Sequence, residues 1–369
     1  VTTKRSTSKK SSKPRRDIYT EISTKLIAQS LAEGKLVWRK SWKSVDGFST
    51  FPVSVSTGKR YRGINVWILA GEALDKGYQS NKWATYDEWA RLGGMVRTVV
   101  GQYPNGKEKV KYLSPVLEDG TVDPTPRGVR RGEKGTEITL WIQIYVEDID
   151  EVTGRKSRKR IPYLRTYWVY NQDQVSAETL PKKFQPADPA DLPEEFDPIA
   201  EAEAIAAGYT EVEVRHGGNR AYYSPRADFI GMPERHQFDG AEEYYSTLFH
   251  EMGHSTGHQS RLARPDLLEM HHFGDVSYSK EELVAEMTAA MLAGIAGIEN
   301  VTLNNSAAYL QSWVSKLQSE PKWLIQAATK ASEAADYILG IKYAKDGEEG
   351  SSEPSEAAQA PAEKEVALV

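Results

Sequence analysis

Residues 241–258 read Ala-Glu-Glu-Tyr-Tyr-Ser-Thr-Leu-Phe-His-Glu-Met-Gly-His-Ser-Thr-Gly-His. His250 and His254 stand four residues apart, which sets two imidazoles on one helix face, about 6 Å apart along its axis. Two imidazoles so placed can share one Zn²⁺ ion. Glu251, between them in sequence, is suited to take a proton from an attacking water without itself being a ligand. Tyr244, Tyr245, Leu248 and Phe249 supply the apolar face of the same helix, and Gly257 is its stop signal.

Two histidines leave a catalytic metal short of one protein ligand, because three protein donors plus water is the usual set. His258 lies a full turn beyond His254 and is a poor third donor; Ser260 occupies the position where a third histidine would follow the glycine in a metzincin. His271 and His272 remain open. The stretch Lys280-Glu281-Glu282-Leu283-Val284-Ala285-Glu286 reads as a second helix, with Glu282 and Glu286 on one face beside small residues. A carboxylate from such a helix is the gluzincin arrangement. It assigns Glu286 as the third ligand and Glu282 as hydrogen-bond partner to a histidine.

Upstream, the composition changes. Residues 1–170 carry 32 Lys+Arg against 18 Asp+Glu, a net of +14, whereas the remaining 199 residues carry a net of −19. A half so basic favours a polyanion through counterion release. Seven of the nine tryptophans lie in that half, and cations interleaved with aromatic rings are what binding of unpaired bases requires. Trp38 and Trp42 alternate with Arg39 and Lys40, and Lys59, Arg60, Tyr61 and Arg62 follow a Thr-Gly turn. The chain has no cysteine, which excludes disulfides, thiolate zinc sites and a thiol nucleophile. No apolar run reaches the roughly 20 residues that span a bilayer, so the expected setting is cytoplasmic, with no membrane partner.

Helical spacing over Asp17–Leu31 and 64–75, a capped helix start near Trp83–Trp89, and strands over Ile138–Val146 and Pro162–Tyr170 predict an α+β first domain. Thr210–Arg215 and Ala221–Tyr223 read as a β-hairpin ahead of the metal helix, and Leu310–Leu317 and Leu324–Leu339 read as scaffold helices. The expected division is a basic arm at 1–16, a first domain at 17–178, a proline-rich linker at 179–198, a second domain at 199–343 and an acidic tail at 344–369.

The succession Trp38…Trp42, Thr57-Gly58-Lys59-Arg60-Tyr61-Arg62-Gly63-Ile64-Asn65, Trp83-Ala84-Thr85-Tyr86, Arg131-Gly132-Glu133-Lys134-Gly135 and Val169-Tyr170-Asn171-Gln172-Asp173 resembles the N-terminal single-stranded-DNA-binding domain of ArdC-type antirestriction proteins. The region 95–130 and the basic hairpin 150–160 depart from that pattern as insertions. In the second half, His216-Gly217-Gly218, Met232-Pro233, the metal helix, Arg261-Leu262, Arg264 and Glu281–Glu286 resemble the zincin-like metallopeptidase domain of the same family. The resemblance implies single-stranded DNA as partner, held by Trp38, Trp42, Lys59, Arg60, Tyr61, Arg62, Asn65, Trp83, Tyr86, Arg131 and Lys134. It also implies a zinc metallopeptidase-like unit with a protein substrate. The alternatives are a non-enzymatic DNA-binding protein with a structural metal site, and a zinc protease whose first domain binds protein.

Overall fold

The computed structural model describes residues 17–33, 51–104, 106–149, 156–184, 198–268, 276–298 and 307–342. In chain order the first unit comprises α1 (Ile18–Glu33), β1 (Val53–Ser54), α2 (Ile64–Lys76), β2 (Lys82–Ala84), α3 (Tyr86–Leu92), β3 (Val96–Gln102), β4 (Glu108–Leu113), β5 (Thr136–Ile149) and β6 (Lys156–Asn171). The second comprises α4 (Pro198–Gly208), β7 (Glu213–His216), β8 (Tyr222–Ser224), β9 (Phe229–Met232), α5 (Ala241–Ser255), α6 (Pro265–Leu268), α7 (Val276–Ala296), α8 (Ala307–Ser319) and α9 (Pro321–Ile338).

The first unit is a sheet of order β1-β2-β6-β5, beside a separate β3-β4 ribbon that fills the insertion at 95–130. β5 and β6 are a long antiparallel pair, with Thr136 opposite Val169 and Ile138 opposite Tyr167. Asn65 closes the outer edge of β5 as a strand residue would: its amide donates to the Thr139 carbonyl at 2.7 Å and accepts from the Thr139 N–H at 2.9 Å. Satisfying two edge backbone groups with one side chain removes a template for stray strand pairing. α3 is capped by Thr85, whose hydroxyl accepts from the Glu88 N–H.

In the second unit the expected hairpin is replaced. β7 and β8 do not pair with each other; β9 lies between them, parallel to β7 and antiparallel to β8. β9 takes the centre because it is the apolar strand, with Ile230 and Met232 fully buried, while all four residues of β7 are exposed. α5 and α7 pack face to face, at the closest approach over Gly253: a Cβ there would stand 3.2 Å from Cα of Ala285.

The two units share one core. Leu26, Trp67, Ile138 and Val169 belong to the same buried cluster as Phe249, Leu292 and Ala328. Helix α1 packs against α8 and α9, and Ser23 donates to the Pro321 carbonyl at 2.6 Å. Gly63 N–H donates to Ser332 at 2.7 Å, next to an ion pair of Arg62 with Asp336 at 2.7 Å. Among the described residues no helix is long and apolar enough to cross a membrane.

Candidate metal centre

Both imidazoles of α5 point at one spot. The N-terminal end of α5 carries Glu242 and Glu243 against the helix dipole, and Glu243 reaches back to accept from the Asp239 N–H at 2.7 Å. Its C-terminal carbonyls are held by two arginines. Arg261 donates to Ser255 O at 2.7 Å, and Arg264 donates to Gly253 O at 2.8 Å. The helix that presents the histidines is thus fixed at both ends.

Nε2 of His250 lies 3.1 Å from Nε2 of His254. The Glu282 carboxylate of α7 faces both, at 3.5 Å from His250 and 3.4 Å from His254. These three side chains are the group among the described residues able to close on one ion. The expected third ligand, Glu286, is not part of that group; it is buried one turn further along α7. The difference has a simple origin. Glu282 and Glu286 share a helix face, but only the crossing of α7 over α5 at Gly253 decides which of them stands level with the imidazoles.

The partner expected of Glu282 is also reassigned, to Glu281. Its carboxylate, fully buried, lies 3.4 Å from Nδ1 of His254 and receives two hydrogen bonds from Arg264, one of them 2.9 Å from Nε. Arg264 also donates to Thr256 Oγ1 at 2.6 Å. With Nδ1 donating to Glu281, the Nε2 lone pair of a neutral His254 is directed at the centre. Burial alone would pull the His254 imidazolium down, but Glu282 and Glu281 overrule it and raise it to about 10. Burial likewise pushes the Glu282 carboxyl up, and His254 and His250 hold it far below the usual carboxylate range. The site is built for a cation, and in the metal-free chain a proton on His254 supplies the charge.

Glu251 is 8% exposed and shares its side of α5 with Thr247 and Tyr244 by helical spacing. The Tyr244 hydroxyl meets Nε2 of His216 at 2.9 Å, tying β7 to the helix. On the far side Arg261 bonds Asp228 and the Tyr223 hydroxyl, fixing β8 and β9 to the end of α5. His271 and His272 lie outside the described residues.

The eleven residues expected at the DNA interface divide. Trp38 and Trp42 lie outside the described residues. Trp83 is completely buried, Asn65 is spent on the β5 edge, Tyr61 packs on the shared core and Arg62 is paired with Asp336. Arg60 covers the Phe51 ring at 5.8 Å, beside an exposed Lys59. Tyr86, Arg131 and Lys134 are exposed. The TGKRYRG segment is therefore a seam between units through Tyr61, Arg62 and Gly63, with Lys59 still facing outward.

Two helices crossing over a His-His-Glu cluster, beside a three-stranded sheet, define a zincin-like metallopeptidase unit, and residues 200–330 match the family of that description. Residues 16–170 match the N-terminal domain of anti-restriction factor ArdC. The chain is 32% identical to the antirestriction ArdC protein from plasmid R388, with 88% of this chain and 98% of that one covered; the TM-score is 0.61 to its metal-free crystal structure and 0.60 to its Mn(II)-bound one. It is 30% identical to the uncharacterized protein y4eC of Sinorhizobium fredii over 87% of this chain and 91% of that one. It is 31% identical to a DNA primase TraC of Escherichia coli over 94% of this chain, but spans only 29% of that protein's length. The chain belongs to the ArdC-type antirestriction family.

Proposed function

We propose that this chain is a single-stranded-DNA-binding antirestriction protein of a plasmid or phage, carrying a zinc peptidase-like centre in its second unit. One observation carries the metal reading. Nε2 of His250 and Nε2 of His254 stand 3.1 Å apart, close to the roughly 3.3 Å between ligands of a tetrahedral ion, and each faces one oxygen of Glu282, Oε2 at 3.5 Å and Oε1 at 3.4 Å. Two imidazoles and one carboxylate suit Zn²⁺ best, with Mn²⁺ as a competitor; the related ArdC protein has been seen with Mn(II).

When bound, the ion would supply Lewis acidity, polarising a carbonyl and acidifying water. His250, His254 and Glu282 would hold it, and Glu281 with Arg264 would keep His254 in the right tautomer and orientation. Glu251 takes the proton of the attacking water on its carboxylate and returns it to the departing amine nitrogen. The exposed edge of β7 lies where an extended peptide can add as a strand.

Equilibrium dialysis of the full chain against Zn²⁺ or Mn²⁺ tests the centre: one ion per chain is expected, and less than a tenth of an equivalent overturns it. Glu251→Gln should retain the ion and lose hydrolysis of a casein substrate. No cleavage by the wild-type chain, with the ion retained, would favour a binding protein with a structural metal. For DNA, a labelled single-stranded 30-mer should bind with salt-dependent affinity and exceed the matching duplex; equal or better binding of duplex overturns that half of the reading.

A further inference from the structure

A row of aromatic rings far from the metal chemistry is left facing solvent. Side chains alternate along β6, so Trp168 and Tyr170 share a face, while Val169 on the other face is sealed in the core with Ile138 of β5. Trp168 is 51% exposed in mid-strand, and Tyr86, at the start of α3, is 41% exposed. The Tyr86 ring lies 6.2 Å from Tyr170 and 6.4 Å from Tyr112 of β4, edge to face in both cases. Gly135 keeps the row open, since a Cβ there would stand 3.0 Å from Cζ of Tyr170 and 3.3 Å from Cβ of Trp168.

Three separate elements thus contribute Tyr112, Tyr86, Tyr170 and Trp168 to one surface. A contiguous exposed aromatic patch, unlike a lone ring, marks a place where something binds. The charges beside it say what does. Three nearby carboxylates are already matched, Glu88 by Arg91, Glu108 by Arg97 and Glu133 by Arg130, and the Asp87 charge next to Tyr86 feels the attraction of Arg97. Arg131 and Lys134, in the segment that leads into Gly135, are exposed and pair with no carboxylate among the described residues. Glu137 stands opposite Trp168 in the ladder, and the first half as a whole is net basic.

We propose that this row is the platform on which the chain stacks unpaired DNA bases, with Arg131 and Lys134 taking the adjoining phosphates. It rests on the single-stranded-DNA reading above and adds Trp168, Tyr170 and Tyr112, three residues absent from the positions the sequence suggested. Stacking engages the π-face that every base has and reads no base edge, so binding is sequence-tolerant. Duplex DNA, whose base faces are covered, is excluded from the platform.

The test uses the full chain and a fluorescein-labelled 20-mer of dT, read by anisotropy at two salt concentrations. Trp168→Ala and Tyr86→Ala should each weaken binding about tenfold, while Trp168→Phe and Tyr86→Phe restore most of it. Exchanging Arg131 and Lys134 for Gln should flatten the salt dependence. Tyr222→Ala, which removes an equally exposed ring at 48% in the second unit, should leave affinity unchanged. Photo-crosslinking of an oligonucleotide carrying 5-iodo-deoxyuridine should label Trp168, Tyr86, Tyr170 or Tyr112. If the wild-type chain binds the strand but Trp168→Ala and Tyr86→Ala bind within twofold of it, and the label falls on Lys59–Arg62 instead, the platform is wrong and the DNA reading stands. If the wild-type chain does not bind the strand at all, both are wrong.

Discussion

Replacing Arg264 by Met isolates one heavily bonded buried charge of the second unit. Its guanidinium is 4% exposed, and the carboxylate it faces, Glu281, is 0% exposed. The side chain donates to Glu281 twice, to Thr256 Oγ1, and to the Gly253 and His254 carbonyls at 2.8 and 3.4 Å. Met fills similar volume but leaves Glu281 charged and buried, with only His254 beside it. Removing one partner of a buried pair costs about 3–5 kcal/mol, roughly two to four orders of magnitude in the folded-to-unfolded ratio. Urea unfolding of the chelator-treated chain, followed by far-ultraviolet circular dichroism, reads the loss as a lower midpoint with unchanged slope. Adding Glu281→Leu to Arg264→Met should recover much of that loss, because no unpaired charge is then left inside. A single variant within about 1 kcal/mol of wild type, or a double variant whose loss is the sum of the two single losses, would refute the reasoning.

Three further outcomes are expected. Glu282→Ala should lower Zn²⁺ affinity by more than the about 10- to 100-fold usual for an outer partner, while Glu286→Gln keeps one ion per chain; competition with a fluorescent chelator reads both, and the reverse ranking restores Glu286 as ligand. Gly253→Ala should destabilise by about 1–3 kcal/mol by overpacking, since its Cβ would meet the Ala285 backbone at 3.2 Å; an unchanged melting temperature would show that α5 and α7 separate freely. Hydrogen bonds from Thr125, and then Arg127, hold the Asp123 carboxyl down at about 2. That group's stabilisation is complete above its unfolded value of about 3.9 and fades as pH falls toward 2, so the stability difference between wild type and Asp123→Asn should shrink below about pH 4 in acid titrations.

The metal helix was legible because its chemistry and its periodicity coincide: the spacing that pairs His250 with His254 also pairs Tyr244 and Tyr245 with Leu248 and Phe249. Helical spacing could not choose between Glu282 and Glu286 because it gives a face but no height; the crossing of elements distant in sequence brings Glu282 level with the imidazoles. Arg264 and Glu281 carry no local signature as a pair; only folding brings Glu281 of α7 under the loop that follows α5. The residues expected at a DNA interface were harder to read for another reason. Aromatic and basic composition marks a surface only if the rings are outside, and Trp83 at zero exposure looks in sequence like Trp168 at 51%. The alternation that separates Trp168 from Val169 was present in the strand, but which face met the core was set by the packing of α2 on the β5-β6 sheet. The order β7-β9-β8 was hidden by the habit of consecutive strands to pair, which the apolar content of Phe229–Met232 outweighs.

The shared core changes what counts as an inheritable part. A proline-rich stretch around 179–198 marks a place to cut, yet α1 lies on α8 and α9 and the 59–65 segment is clamped to α9. A recombination event that carried off either half alone would deliver an unfinished interior, with the buried faces of α1 and α9 turned to water. The smallest part that keeps its interior closed is therefore the linked pair. Matches run through both units, even inside a protein several times longer.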